Sequence, residues 1–168
     1  MSLNGQYLRP NRYAIIPRTL CFLLRPDEIL LIQIPEGQGA WGGLLNGVGG
    51  HVEQGEDPHT AARREILEET GLSPKDLYLC GVISIDTGEN PGIGLYVFMG
   101  QANGGELKPS QEGVPKWVPI NILDDKLLVD DLPLILPKAI ASYKNKTPFS
   151  AVYTFNTRGE LQVRFAQP

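Results

Sequence analysis

The feature that most constrains this chain is the stretch Gly50–Leu72, GHVEQGEDPHTAARREILEETGL, where a glycine-containing loop runs into a short acidic helix. Asp57 suits the N-cap, Pro58 the first helical position, and Gly71 the left-handed exit. Between them Glu65, Glu68 and Glu69 stand at i, i+3 and i+4, so their side chains project from one face. Ala62 and Ile66 form a neighbouring strip that can pack against a sheet. Like charges at that spacing cost roughly 0.2–0.5 kcal/mol per pair on a helix. A divalent cation would remove the repulsion, and hard oxygen ligands with retained waters suit Mg²⁺ or Mn²⁺. A glutamate-rich face alone is most often solvated surface, so the triplet gains meaning only from the residues around it.

Those residues form a pattern: Gly50-x5-Glu56-x7-Arg64-Glu65-Ile66-x-Glu68-Glu69-x-Gly71-Leu72. It resembles, position for position, the signature of the Nudix (MutT-like) hydrolases, and ordinary residue usage gives a chance match on the order of 10⁻⁹ per start site. The resemblance implies a hydrolase of phosphoanhydride bonds that works with Mg²⁺ or Mn²⁺. It implies that the Gly50 carbonyl and Glu65, Glu68 and Glu69 hold metal, and that Arg64 orients a catalytic carboxylate. Glu56, outside the helix, is expected to brace the loop. Glu112, in SQEGVPKWV, matches an acidic loop residue that serves similar enzymes as a further metal ligand or as the base. Read without the resemblance, Glu112 is a solvated loop glutamate. Either Glu65 or Glu112 can be the proton acceptor.

Along the rest of the chain, residues 1–13 read as a loosely held polar arm. Tyr13–Leu24, interrupted by Pro17, and Ile29–Ile34 are two apolar runs around the turn Arg25-Pro26-Asp27-Glu28, which predicts adjacent strands. Trp41–Gly50 is dense in glycine, which permits close backbone approach to a ligand; Gly49 and Gly50 are the best placed for this. After the acidic helix, Asp76–Ile85, Gly92–Ala102 and Trp117–Ile120 read as strands. Asp130–Tyr143 reads as a second helix whose interior starts near Pro137, because prolines inside a helix remove hydrogen bonds. Phe149–Asn156 and Glu160–Phe165 alternate well about Asn156-Thr157-Arg158-Gly159, a hairpin signal. The order of elements predicts an α+β fold with a mixed sheet. The resemblance sharpens this to the Nudix fold, an α/β/α sandwich around a mixed β-sheet with a C-terminal β-hairpin, in a single domain over residues 1–168.

From about Thr19 to Phe165 the order of segments is similar to the oxidised-purine nucleoside triphosphatases of that superfamily. Asn46 matches an asparagine that contacts the base there, and Asp130-Asp131 a pair that reads the purine edge. Without the resemblance, Asn46 is a turn residue and Asp130 a helix N-cap. Three positions depart from the group. Leu128 and Val129 stand where an aromatic residue packs on the purine, so stacking is expected from Trp41, Tyr96 or Trp117. Gln33 and Ile34 occupy the neighbourhood of a phosphate-binding basic residue, leaving Arg25 or Arg12. His51 replaces a frequent lysine after Gly50; it can donate to a phosphate but carries less positive charge at neutral pH than a lysine.

With 168 residues and a net charge of −4, the chain can bury a proper core but lacks the basic surface for a nonspecific grip on a nucleic-acid polymer. Cys21 and Cys80 sit in apolar runs without metal-site spacing, so buried free thiols are expected. No apolar run reaches membrane-spanning length and no signal-like core opens the chain, so a cytoplasmic protein, monomer or homodimer, is expected. The favoured function is conversion of a (d)NTP to (d)NMP and pyrophosphate, with oxidised purines preferred. The small-molecule alternatives are ADP-ribose, a dinucleoside polyphosphate or another X-linked diphosphate. Enzymes of the ADP-ribose type often carry a proline some way after the box, and only Pro91 is near. A non-catalytic nucleotide-binding module predicts loss of a box carboxylate, and none is lost.

Overall fold

The computed structural model describes residues 12–167. Its centre is a mixed eight-stranded sheet ordered β3-β2-β1-β5-β4-β7-β8, with β6 on the outer side of β2. The strands are β1 (Ile15–Arg25), β2 (Glu28–Gln33), β3 (Leu45–Asn46), β4 (Tyr78–Ile85), β5 (Gly92–Gln101), β6 (Val114–Pro119), β7 (Phe149–Phe155) and β8 (Leu161–Phe165). Helix α1 (Pro58–Thr70) packs on one face and α2 (Leu132–Asn145) on the other.

Alternation along β1 builds both cores at once. Leu20 and Phe22 point toward α2, where they join Ile83, Val97, Met99, Leu132, Ile135 and Ala139. Cys21 and Leu23 point toward α1 and meet Val48, Ala62, Ile66, Leu72 and Phe98. Helix α1 offers mainly Ala61, Ala62 and Ile66 to the sheet, and small residues let its backbone come close. Helix α2 buries Leu132, Ile135, Leu136, Ala139 and Ser142, the spacing of one helical face. Cys21 and Cys80 are buried free thiols, and burial pushes Cys80 up to about 11.

The sheet has one feature that places the functional site. Strand β2 pairs with β1 only near their shared turn, at Leu23–Arg25, and then diverges. The segment after β3 fills the gap: Cys21 and Val48 exchange backbone bonds at 2.6 and 3.1 Å, the Thr19 N–H donates to the Gly50 carbonyl at 2.8 Å, and the Val52 N–H to the Pro17 carbonyl at 3.0 Å. The glycine-rich loop is therefore stitched along the middle of the sheet rather than left at an edge.

Several expected boundaries shift. β1 continues through Pro17, which still serves as an acceptor. β6 starts at Val114, three residues before Trp117 (117 minus 114), and includes Pro115; it pairs only with β2, and an edge strand tolerates a residue without an N–H. Helix α2 starts at Leu132, not near Pro137. Pro133 lies in the first turn, where its missing N–H costs nothing, and Pro137 forfeits one interior bond while the buried apolar face holds the helix together. Of the polar arm, residues 1–11 lie outside the described residues. Tyr13 and Ala14 are tied down, by Tyr13 Oη to the Ile85 carbonyl at 3.2 Å and the Ala14 N–H to Asn90 Oδ1 at 2.9 Å. Among the described residues, no helix is long and apolar enough to cross a membrane.

Candidate active site

Local chemistry sets α1. Asp57 accepts from the His59 and Thr60 N–H groups at 2.9 and 3.1 Å, and its carboxyl is held below the usual range by the Thr60 hydroxyl first and then these amides. Gly71 leaves the helix at φ 74° and returns its N–H to the Leu67 carbonyl at 2.9 Å.

Arg64 is the hub of the acidic face. Its Nε and Nη2 form a fork onto Glu56, both at 3.0 Å; Nη2 also reaches the His51 carbonyl at 3.0 Å. Its Nη1 bonds Glu65 at 2.8 Å and Glu68 at 3.2 Å. One guanidinium thus joins the loop to the helix, and its bond to Glu56 holds that carboxyl below its ordinary pKa. Arg64 is thus ion-paired with Glu56, Glu65 and Glu68 together. Glu56, which also accepts the Glu53 N–H at 3.1 Å, braces the loop as expected.

Glu69 points inward and is 5% exposed. Its Oε1 accepts the Gly49 N–H at 3.1 Å. Burial pushes its pKa up to about 8 against that hydrogen bond, and the nearby charges of Glu65 and Glu112 push the same way. Glu65 lies so close to Gly50 that a Cβ there would stand 2.8 Å from its Oε2. The Gly50 carbonyl uses one lone pair on Thr19 and keeps the other. Glu68 is more open, with 59% of its side chain exposed. Glu112 sits on an exposed turn, its N–H bonded to Ser110 Oγ at 3.1 Å, with its charge felt at Glu69.

Among the described residues, no three His, Cys, Asp or Glu side chains converge as a finished metal shell. The carboxylates are turned instead onto Arg64 and the Gly49 amide. The donor chemistry nevertheless fits a hard divalent cation: carboxylates and one carbonyl, all oxygen, with one of the glutamates buried so that its charged form is disfavoured until a cation compensates it.

On the opposite, α2-facing side of the sheet lies a cavity of about 310 Å³. Asn46, Gly49, Asp130 and Asp131, all expected at a substrate, line it, and so does Trp41. Leu128 pairs with Leu45, and the Val129 N–H donates to the Leu45 carbonyl at 3.1 Å; this brings the aspartate pair beside Asn46. Asp131 occupies the N-cap position of α2, yet its side chain caps no helix N–H. It accepts instead from the Tyr153 hydroxyl at 3.4 Å. Neither aspartate is spent on capping α2, which removes the N-cap reading of Asp130.

Burial raises the pKa of Asp131 and outweighs the bond from Tyr153. A raised folded-state pKa favours the protonated form, so stability is full below the unfolded value of about 3.9 and falls as pH rises toward the folded value. Asp131→Asn removes that loss. In urea titrations the variant is expected to match the wild type near pH 4 and exceed it at neutral pH; a difference that stays flat with pH contradicts the burial argument.

Some expectations are corrected. Tyr96 and Trp117 pack on the α1 side, so of the three aromatic candidates only Trp41 borders the cavity. Arg25 pairs with Glu28 and lies over the Trp117 ring at 4.4 Å, and Arg12 is likewise absent from the lining. His51 is exposed and not part of the cavity lining. Residues that the sequence did not single out complete the wall: Arg18 and Leu20 from β1, Leu95 from β5, and Tyr153, Phe155 and Leu161 from the terminal hairpin. The apolar run of β1 and the hairpin signal are visible in the sequence; that these strand ends share one hollow is not.

Comparison with known proteins agrees with this geometry. The NUDIX domain model matches residues 15–139. An oxidized purine nucleoside triphosphate hydrolase of Danio rerio is 36% identical over 125 residues, covering 71% of this chain and 79% of that protein. The enzyme of the same name from Mus musculus is 35% identical over the same shares. The crystal structure of a mutator MutT protein from Bacillus halodurans superposes with a TM-score of 0.69 at 25% identity, covering 92% of this chain and all 100% of that one. A capped helix carrying the box glutamates, a mixed sheet with a helix on each face and these matches lead to one conclusion: the chain belongs to the Nudix family of hydrolases.

Proposed function

We propose that this Nudix hydrolase converts a purine nucleoside triphosphate to the monophosphate and pyrophosphate with Mg²⁺, and that it prefers an oxidised purine. The observation that carries the reading is the position of Gly49. It lines a cavity that also holds Asn46, Asp130 and Asp131, while its amide bonds Glu69 of the glutamate face. A nucleotide whose base enters the cavity therefore brings its phosphates toward α1. The hollow is of the size expected for a small-molecule site and is mostly apolar with a few polar groups. The names of the Danio rerio and Mus musculus relatives support the same substrate class.

The phosphate chain repels an incoming nucleophile, so charge neutralisation and placement are the main tasks. Glu65, Glu68, Glu69 and the Gly50 carbonyl, with Glu112 from the facing loop, would hold the cation. When bound, Mg²⁺ neutralises phosphate oxygens and lowers the pKa of a coordinated water. Glu65 or Glu112 takes the proton from the attacking water as the P–O bridge breaks and pyrophosphate leaves. Arg64 fixes the direction of Glu65 through its 2.8 Å bond. Trp41 offers a flat apolar surface for the base, and the aspartate pair supplies hydrogen-bond partners to its edge.

The test is a substrate panel with Mg²⁺. Oxidised purine triphosphates are expected to exceed normal purine triphosphates in kcat/KM by roughly tenfold or more, the size of about one well-placed hydrogen bond. ADP-ribose and dinucleoside polyphosphates are expected to be poorer still. Equal or faster cleavage of ADP-ribose overturns the proposal.

A further inference from the structure

Within the triphosphatase reading, on which this step rests, the basic side chain of the cavity has no assigned task. We propose that Arg18 seats the phosphate attached to the sugar, both in the triphosphate substrate and in the monophosphate product.

The first ground is charge. Asp130 and Asp131 line the cavity, and Arg18 is the one basic side chain among the described residues that does. The chain carries a net charge of −4, so a polyanionic nucleotide needs a local cation to enter the right way round. The second ground is that the guanidinium is uncommitted. Arg25 is paired with Glu28, Arg63 bonds the Pro74 carbonyl at 3.3 Å, and Arg64 is saturated by the box. Arg18, partly buried beside Leu20, makes no side-chain hydrogen bond or ion pair with any described residue. A planar five-donor fork in a mostly apolar hollow calls for an anionic partner, and phosphate oxygens match it two at a time.

The third ground is position. Arg18 faces His51 across the bridge between β1 and the glycine loop, and the next residue, Thr19, donates its N–H to Gly50. Arg18 therefore stands where the cavity meets the Gly50 carbonyl and Glu65. A phosphate passing from the base site toward the glutamates along this seam comes close to it. Arg18 thus supplies the basic group that neither Arg25 nor Arg12 can bring to the site.

The experiment compares binding of oxidised deoxyguanosine and its monophosphate by calorimetry, without divalent cation, for wild type, Arg18→Ala and Arg18→Lys. The wild type is expected to bind the monophosphate more tightly than the nucleoside. Arg18→Ala is expected to lose roughly 10–100-fold for the monophosphate, the fold-change of one charge-assisted contact, with nucleoside affinity unchanged. Arg18→Lys should fall between, keeping the charge and losing the fork. Thermal melting close to wild type for both variants identifies the loss as local. If Arg18→Ala keeps the wild-type preference for the monophosphate, or loses nucleoside affinity equally, the assignment of Arg18 is wrong while the triphosphatase reading stands. A wild type that binds neither compound overturns both.

Discussion

Glu68→Gln is expected to lower kcat by at least on the order of 10²-fold in the presence of Mg²⁺, with stability to urea changed by less than about 0.5 kcal/mol. The expectation rests on a separation of roles visible in the site. Glu68 is mostly exposed, and its one side-chain bond among the described residues is the 3.2 Å contact from Arg64. Exposed pairs of that kind contribute little to folding. Glutamine keeps the size and the rotamers but removes the anionic oxygen that would hold a cation. Steady-state kinetics and a urea titration on the same preparation decide the matter. Near-normal turnover would remove Glu68 from the metal set. Glu69 makes a less clean test, because it is buried and holds the Gly49 amide.

The second large effect separates two adjacent glycines. Gly49 has φ 153°, and a Cβ there would overlap the Thr19 carbonyl oxygen and lie 2.8 Å from its carbon. Both groups are backbone in the middle of the sheet and cannot step aside. Gly49→Ala is therefore expected to cost about 2–4 kcal/mol and to reduce activity through loss of folded protein. At Gly50 the obstacle is the Glu65 carboxylate, the mobile end of a side chain. Gly50→Ala is expected to leave stability within about 1 kcal/mol and to lower kcat on the order of tenfold or more, by turning Glu65 off its bond to Arg64. The checks are a denaturation midpoint and kcat measured for each variant. Equal destabilisation by both substitutions would show that the loop, rather than these two contacts, sets their cost.

The parts of the molecule that were legible in the sequence are those fixed by near neighbours along the chain. Asp57, Pro58 and Gly71 bound α1 because capping is decided within one turn. The hairpin around Asn156 and Gly159 is likewise local, with Asn156 Oδ1 accepting from the Arg158 and Glu160 N–H groups at 2.9 and 3.0 Å. Helix α2 was misplaced at its start because proline reports a lost hydrogen bond, not the burial of Leu132, Ile135 and Leu136 that outweighs it. The cavity was half legible. Asn46, Asp130 and Asp131 stand out through resemblance, whereas Arg18, Leu95 and Tyr153 are unremarkable strand residues until β1, β5 and β7 are placed together. Arg18 in particular reads as a polar position in an apolar strand. Its meaning comes from a neighbour 33 positions away (51 minus 18), His51, and from the loop that carries it.

The split pairing of β1 has a practical outcome for inheritance and for engineering. On the proposed function, the groups that break the bond and those that select the base stand on opposite sides of one partition, and the peptide units around Gly49 and Gly50 join the two. If the cavity takes the base as proposed, exchanging the terminal β7–β8 hairpin or the aspartates ahead of α2 is expected to change which base is accepted while leaving the α1 contacts of Arg64 in place. Selectivity and reaction are then separable by substitution, each on its own face of the sheet.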